Sequence, residues 1–267
     1  MSIAIIAGYG KLPLILGKCI KNKKFIVIDL DYGRNESYFD KCHKYYAVKN
    51  LNVAEITNIL IKEKIKKCII LGKVDKSILY RGSEALYNNV APILKNIDNW
   101  QDNSIMLSIA SFIEKMNIKV EKQSDFLYSF LTEDIIYSER RPNESTMKDI
   151  TFGYKTAKVL VQLDIGQTVV VKNGVVLAVE AVEGTDEAIK RGGLLGGVGS
   201  TVVKVAKVEQ DERFDVPTVG VNTLETMLQC NCSTLVVEAG KTFIIENEKM
   251  RDFVNKNNMI LMGYKEA

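Results

Sequence analysis

The stretch 166–220 constrains the fold most, because it carries two short apolar runs hinged on Asn173-Gly174. A two-residue type I′ turn needs positive φ at both central residues, which Asn-Gly tolerates well, so the alternating residues on either side predict an antiparallel hairpin. The second strand of that hairpin runs into Glu183-Gly184-Thr185-Asp186, where Thr185 or Asp186 is placed to cap a helix and leave carboxylates at a strand end. Functional groups concentrate at such edges.

At 267 residues, one large domain or two smaller ones are equally compatible with size, so pattern has to divide the chain. Ser2 to Ala7 is an apolar run of strand length that ends at Gly8-Tyr9-Gly10, and Pro13 then suits the opening of a helix through Ile20. A second strand, Phe25 to Leu30, brings Asp29 and Asp31 about twenty residues past the glycines, which is half of a dinucleotide fingerprint. Pro13 replaces the last glycine of that fingerprint, so a nucleotide contact and a purely structural tight turn both remain open. Val53 to Ile65 (helix), Cys68 to Leu71 (strand ending at Gly72-Lys73-Val74-Asp75), Ile105 to Met116 (helix, with Asp102-Asn103-Ser104 as its cap), Ile118 to Val120 (strand) and Asp125 to Leu131 (helix) continue the βα pattern.

The polar stretch 138–149 lacks periodicity and predicts a linker. The expected organisation is therefore α/β in two domains: an N-terminal Rossmann-like βα domain over 1–137, and a C-terminal α/β domain over 150–267 that holds the hairpin and an acidic catalytic segment. In the second domain the pattern predicts a helix from Tyr154 to Leu163, strands at Thr201 to Ala206 and Thr234 to Val237, and a helix from Asn222 to Cys230. A hairpin-like turn over Glu238 to Ile245 and a closing helix from Glu248 complete it.

Several function classes drop out on composition. Charged residues make up 26% and the net charge is +3, small for a dedicated nucleic-acid binder. The cysteines number five, are scattered and lack C-x-x-C spacing, which argues against a disulfide framework or structural zinc and suits a reducing cytoplasm. His43 is the single histidine, so a two-histidine zinc hydrolase is excluded. No apolar run approaches the length of a membrane span, and no basic segment precedes the first strand as in a signal peptide.

Two segments can carry chemistry. Gly192, Gly193, Gly196, Gly197 and Gly199 could expose N–H groups to a phosphate, but no Lys-Ser/Thr follows, and a flexible connection is the expected reading. Gln210-Asp211-Glu212-Arg213-Phe214-Asp215-Val216-Pro217 packs acids and an arginine beside a proline. Such hard oxygens suit Mg²⁺, which takes one or two carboxylates plus phosphate oxygens, and Lys204 and Lys207 just upstream could neutralise charge on a phosphoryl group. Standing alone, the same segment reads first as a solvated loop with surface ion pairs.

Ile6 to Pro13, Leu163 to Gln167, Val176 to Asp186 and Gln210 to Gly220, taken together and in order, resemble the LpxI-type UDP-2,3-diacylglucosamine pyrophosphatases of lipid A synthesis. The resemblance implies a two-domain cytoplasmic hydrolase, with substrate held between its domains, that splits UDP-2,3-diacylglucosamine with Mg²⁺ into UMP and 2,3-diacylglucosamine 1-phosphate. On it the critical aspartate falls on Asp215, with Asp211, Lys204 and Arg213 as further catalytic candidates. Gly8, Tyr9, Gly10, Asp102, Glu183, Gly184, Thr185, Lys207, Gln210 and Thr218 become substrate-binding candidates, and Asp215 with Asp186 the metal ligands. A diacylated substrate further implies an apolar groove and transient, peripheral contact with the inner-membrane surface; no nucleic-acid partner is expected, and a homodimer is compatible. The competing reading is a non-catalytic nucleotide-binding protein that uses the Gly8-Tyr9-Gly10 turn and Asp29, and a dinucleotide oxidoreductase is a weaker third.

Overall fold

The computed structural model describes residues 2–30, 34, 36–49, 51–72, 102–207 and 210–266, with backbone alone at 102–104. The chain divides into two compact units, one of residues 1–127 with 211–215, the other of 128–210 with 216–267. The Lys73-Val74-Asp75 strand end lies outside the described residues.

The first unit is built on a sheet of β1 (Ile3–Ala7), β2 (Phe25–Asp29), β3 (Lys44–Ala47), β4 (Lys67–Leu71) and β5 (Lys119–Val120), in the order β3-β2-β1-β4-β5. All its pairings are parallel. The central strand β1 is apolar and buried at every position because a parallel sheet covered on both faces leaves no strand side in water. Pro13 sits in the first turn of the helix Leu12–Cys19, where its missing N–H is harmless. The helix Val53–Lys62 is capped by Asn52, whose Oδ1 accepts from Glu55 N–H at 3.1 Å. The helix expected to be capped by Asp102 instead includes it, as Asp102–Lys115.

The second unit holds a mixed sheet of β6 (Thr168–Lys172), β7 (Val175–Val179), β8 (Ser200–Lys204), β10 (Cys232–Glu238) and β12 (Ile260–Tyr264), in the order β12-β10-β8-β6-β7. The expected hairpin is β6–β7, antiparallel, with Asn173 and Gly174 at φ 50° and 73°. Buried Asp149 fixes the turn from below, accepting from the N–H groups of Asn173 (2.9 Å) and Gly174 (2.7 Å). Alternate strand residues serve opposite faces. Val170, Val202, Leu235 and Leu261 pack with Ile189, Leu224 and Met250, whereas Val169, Val203 and Val236 pack with Ile150, Tyr154 and Ala157.

Three sequence expectations change here. The stretch 138–149 is not a continuous linker, since Asn143 accepts from Thr146 N–H at 2.8 Å and starts the helix Glu144–Gln162; its cap lies in a polar run where apolar periodicity is weak. Glu238 to Ile245 is not a hairpin: Phe243–Ile244 (β11) pairs parallel with Thr218–Val219 (β9). Beyond the closing helix Asn247–Lys256 lies the strand β12, which the sequence reading does not contain.

The glycine-rich segment is the largest difference. Gly192, Gly193 and Gly196 belong to the helix Thr185–Gly196. A Cβ on Gly192 would lie 2.7 Å from both γ-carbons of Val170, and one on Gly193 would lie 2.6 Å from Cys230 Cβ. These glycines let a helix sit close on β6 and on its neighbouring helix Val221–Gln229; they are packing residues.

Candidate active site

Because β8, β10 and β12 run parallel while β6 runs against them, Lys204, Val237, Gly263 and Thr168 form one row across the sheet. The carboxyl ends of three strands therefore meet the start of β6 at a single edge. Glu180, just past β7, joins that edge by donating its N–H to Thr168 O at 2.8 Å. Gly166 makes the approach feasible, as a side chain there would overlap the Glu180 carbonyl.

Lys204 is only 7% exposed, so its ammonium needs polar partners. Its Nζ donates to Thr185 Oγ1 at 2.7 Å, and that hydroxyl donates to Glu180 Oε1 at 2.9 Å. Thr185 thus does not cap its helix; Gly184, at φ 86°, takes the cap position and the hydroxyl is turned to Lys204. The second Glu180 oxygen is buried and has no hydrogen-bond donor among the described residues. Glu183 pairs closely with Arg191, and backbone N–H groups together with that arginine hold its carboxyl below the ordinary range despite some burial. Asp186 is exposed in the first turn of the helix, where the N-terminal dipole favours a carboxylate.

Past Lys204 the backbone is pinned residue by residue. Val205 N–H donates to Gln167 O (2.9 Å), Ala206 N–H to Glu238 Oε2 (2.8 Å) and Lys207 N–H to Gln210 Oε1 (2.7 Å). Lys207 Nζ in turn reaches Asp164 Oδ1 at 2.5 Å. Thr218 sits on β9 with its hydroxyl 3.2 Å from Val216 O.

The acidic segment, which the sequence places with 150–267, makes its described contacts in the first unit. Phe214 packs on that unit's core, Gln123 N–H donates to Glu212 O at 2.7 Å, and Ser124 Oγ makes a short bond to the Glu212 carboxylate. An aromatic side chain finding apolar cover and polar contacts to residues 114, 123 and 124 attach the segment together, and no local pattern announces it. Arg213 chelates Asp211 through Nε (3.0 Å) and Nη2 (2.7 Å) and reaches Glu114 at 2.9 Å. Burial pushes the Asp211 carboxyl up, but the bonds from Arg213 outweigh it and hold the group below the usual carboxylate range. Asp215 N–H donates to Asp211 O at 3.0 Å, closing the turn.

The nucleotide fingerprint is built differently from its sequence reading. Gly8 N–H donates to Leu71 O (2.7 Å), Gly10 has φ 108°, and Tyr9 is 68% exposed. Asp29 is buried and bonded to Arg34 Nη2 (2.8 Å) and Tyr45 Oη (2.6 Å), while Arg34 also donates to Gly8 O (2.6 Å) and Gly10 O (3.2 Å). The acid that would take a ribose hydroxyl already has protein donors on both oxygens.

Of the residues singled out, Lys204, Thr185, Gly184, Glu183, Asp186, Lys207, Gln210 and Thr218 lie on the second unit, and Asp211, Arg213, Asp215, Gly8, Tyr9, Gly10 and Asp102 on the first. Glu180, Glu238 and Lys158, which the structure brings to this edge, carry no site reading in the sequence. Glu180 and Glu238 carry one legible signal, a carboxylate closing an apolar strand at a loop edge; Lys158 carries none.

The family models for the LpxI N-terminal and C-terminal domains match residues 2–130 and 133–262. The chain belongs to the LpxI family. Between them, the two halves account for nearly all of the sequence, in order. A curated LpxI relative, the UDP-2,3-diacylglucosamine pyrophosphatase of Caulobacter vibrioides, is 25% identical over 278 aligned positions, covering 98% of this chain and 96% of its own length. The 130/133 junction between the LpxI domains falls close to the 127/128 division of the fold, with the 211–215 segment as the exception.

Proposed function

We propose that this LpxI protein hydrolyses the pyrophosphate of UDP-2,3-diacylglucosamine to UMP and 2,3-diacylglucosamine 1-phosphate in lipid A biosynthesis. The observation that carries the reading is the near full-length match, both halves in order, to a pyrophosphatase named for that substrate. In this reading water attacks the phosphorus nearer the sugar. The new P–O bond carries the water oxygen, the bridging bond breaks, and the bridging oxygen leaves with UMP.

The charge that develops on the phosphoryl oxygens calls for a fixed cation, and Lys204, held by Thr185 and Glu180, fits that task. Lys207, set by Asp164 and Gln210, supplies a second. Arg213, engaged by Asp211 and Glu114, orders the acidic turn that presents Asp215. Among the described residues no group of three or more His, Cys, Asp or Glu side chains is disposed to hold a metal ion. The donor chemistry nonetheless suits Mg²⁺, which needs only one or two carboxylates beside phosphate oxygens, with Asp215 as the ligand in this proposal. Bound there, the ion would polarise phosphoryl oxygen and acidify water.

No described helix is long and apolar enough to cross a membrane. Transient contact with the inner-membrane surface from the cytoplasmic side is part of the proposal, resting on the acyl chains of the substrate.

The test is UMP release from UDP-2,3-diacylglucosamine by wild-type and Asp215→Ala proteins, with and without EDTA, in ¹⁸O-water. Asp215→Ala is expected to lose about 10²–10³-fold in kcat, the scale of removing one group that stabilises the transition state. An unmutated rate would remove Asp215 from the mechanism, and label recovered in UMP would overturn the site of attack.

A further inference from the structure

Ala206 lies between the two candidate lysines and has no polar side chain, yet both of its peptide groups are held by the side chains of other residues. Its N–H donates to Glu238 Oε2 at 2.8 Å, and its carbonyl accepts from Lys158 Nζ at 3.2 Å. The two holders are themselves an ion pair, with Lys158 Nζ 3.1 Å from each Glu238 oxygen. Tyr154 Oη adds a donor to Glu238 Oε1 at 3.2 Å. Glu238 ends β10, while Lys158 and Tyr154 come from the helix Glu144–Gln162 behind the sheet, so strand and helix close on the two peptides that flank one residue.

A carboxylate this deeply buried carries a desolvation penalty that an apolar residue would avoid. The core around it needs no such group: neighbouring Val236 and Val237 are fully buried and apolar. What the pair does that apolar residues could not is fix the orientation of a peptide just after a strand has ended, where ladder hydrogen bonds give out.

We propose that Glu238 and Lys158 are positioning residues that clamp the Ala206 peptide and thereby aim Lys204 and Lys207 at the phosphoryl group. The role rests on the hydrolase reading above. Neither residue touches substrate in this scheme; they act through the backbone that carries the two cations. Misplacing a reacting or stabilising group by about 1 Å costs on the order of 10²-fold in rate, which sets the scale of effect.

The decisive variant is the double substitution Lys158→Met with Glu238→Leu, which removes both holders together and leaves no unpaired charge, at a cost in stability for each buried polar group that loses its partner. Two readouts follow: amide hydrogen exchange at Ala206 and Lys207, and kcat and KM for UMP release. The expected result is exchange at least ten-fold faster at those two amides, unchanged exchange in β1–β4, and kcat down by about 10²-fold with Lys158→Arg retaining most activity. Unchanged exchange at Ala206 and Lys207 overturns the clamp whatever the activity. Faster exchange with unchanged kcat overturns the positioning role. If wild-type protein releases no UMP, the hydrolase reading and the positioning role both fail, while the exchange experiment still decides whether the pair pins the peptide. Should the double variant not fold, Glu238→Gln, which is nearly isosteric, is read by the same two measurements.

Discussion

The sharpest disagreement between pattern and packing concerns Gly192, and a single methyl group tests it. If 192–199 were a flexible connection, Gly192→Ala would restrict the unfolded chain and stabilise the protein by roughly 0.4–1 kcal/mol. In the structure the new Cβ would lie 2.7 Å from both γ-carbons of Val170, where ordinary contact is 3.4–4 Å. Neither obstacle can swing away, since Val170 is branched at Cβ and rooted in a fully buried strand. The helix must therefore retreat from the sheet, and overpacking of this kind costs about 1–3 kcal/mol. With little room to yield, the upper end applies, offset by about 1 kcal/mol of improved helix propensity. The expected net is a loss of about 2 kcal/mol, or about 4–8 °C in Tm for a unit of this size. Urea unfolding followed by far-UV circular dichroism measures it, with Leu194→Ala, 80% exposed on the same helix, as a control expected within about 0.5 kcal/mol of wild type. A Gly192→Ala protein as stable as wild type, or more so, would refute the packing argument.

The Asp211–Arg213 pair sets a pH dependence. Because the folded carboxyl is held below its unfolded value, the stability it contributes is complete above about pH 4 and is lost as pH falls through the folded pKa. Arg213→Met should flatten that acid limb, and urea midpoints between pH 2 and 5 that fall in parallel for the two proteins would contradict it. The commitment of Asp29 to Arg34 and Tyr45 predicts that millimolar NAD produces no thermal shift. A shift that disappears in Asp29→Asn would restore the dinucleotide reading.

Much of the first unit is legible in the sequence because its signals are local. Apolar runs of strand length, Pro13 at a helix start and a glycine turn are each signals written in adjacent residues, whatever partners the fold then brings to them. The Asn173-Gly174 turn belongs to the same class, since positive φ at both positions is a property of the dipeptide. Gly192 and Gly196 show where such reading stops. Glycine marks both mobility and close approach, and only the positions of Val170 against Gly192 and of Leu177 and Ser200 against Gly196 tell the two apart. Their spacing of four, which puts both on one helical face, was the clue available.

The sequence by itself determined two α/β halves, a hairpin in the second and, through resemblance, the family. It also picked out the strand-end lysines and acids. The folded chain decides how they are grouped: Lys204 shares an edge with Glu180, Thr185 and Glu238, and Asp211 to Asp215 attaches to the first unit through Glu212, Arg213 and Phe214. The physical reason is range. Turns and strand propensities are settled by adjacent residues, whereas a buried ammonium or an aromatic ring takes whatever partner the folded chain brings to it, however far away in sequence.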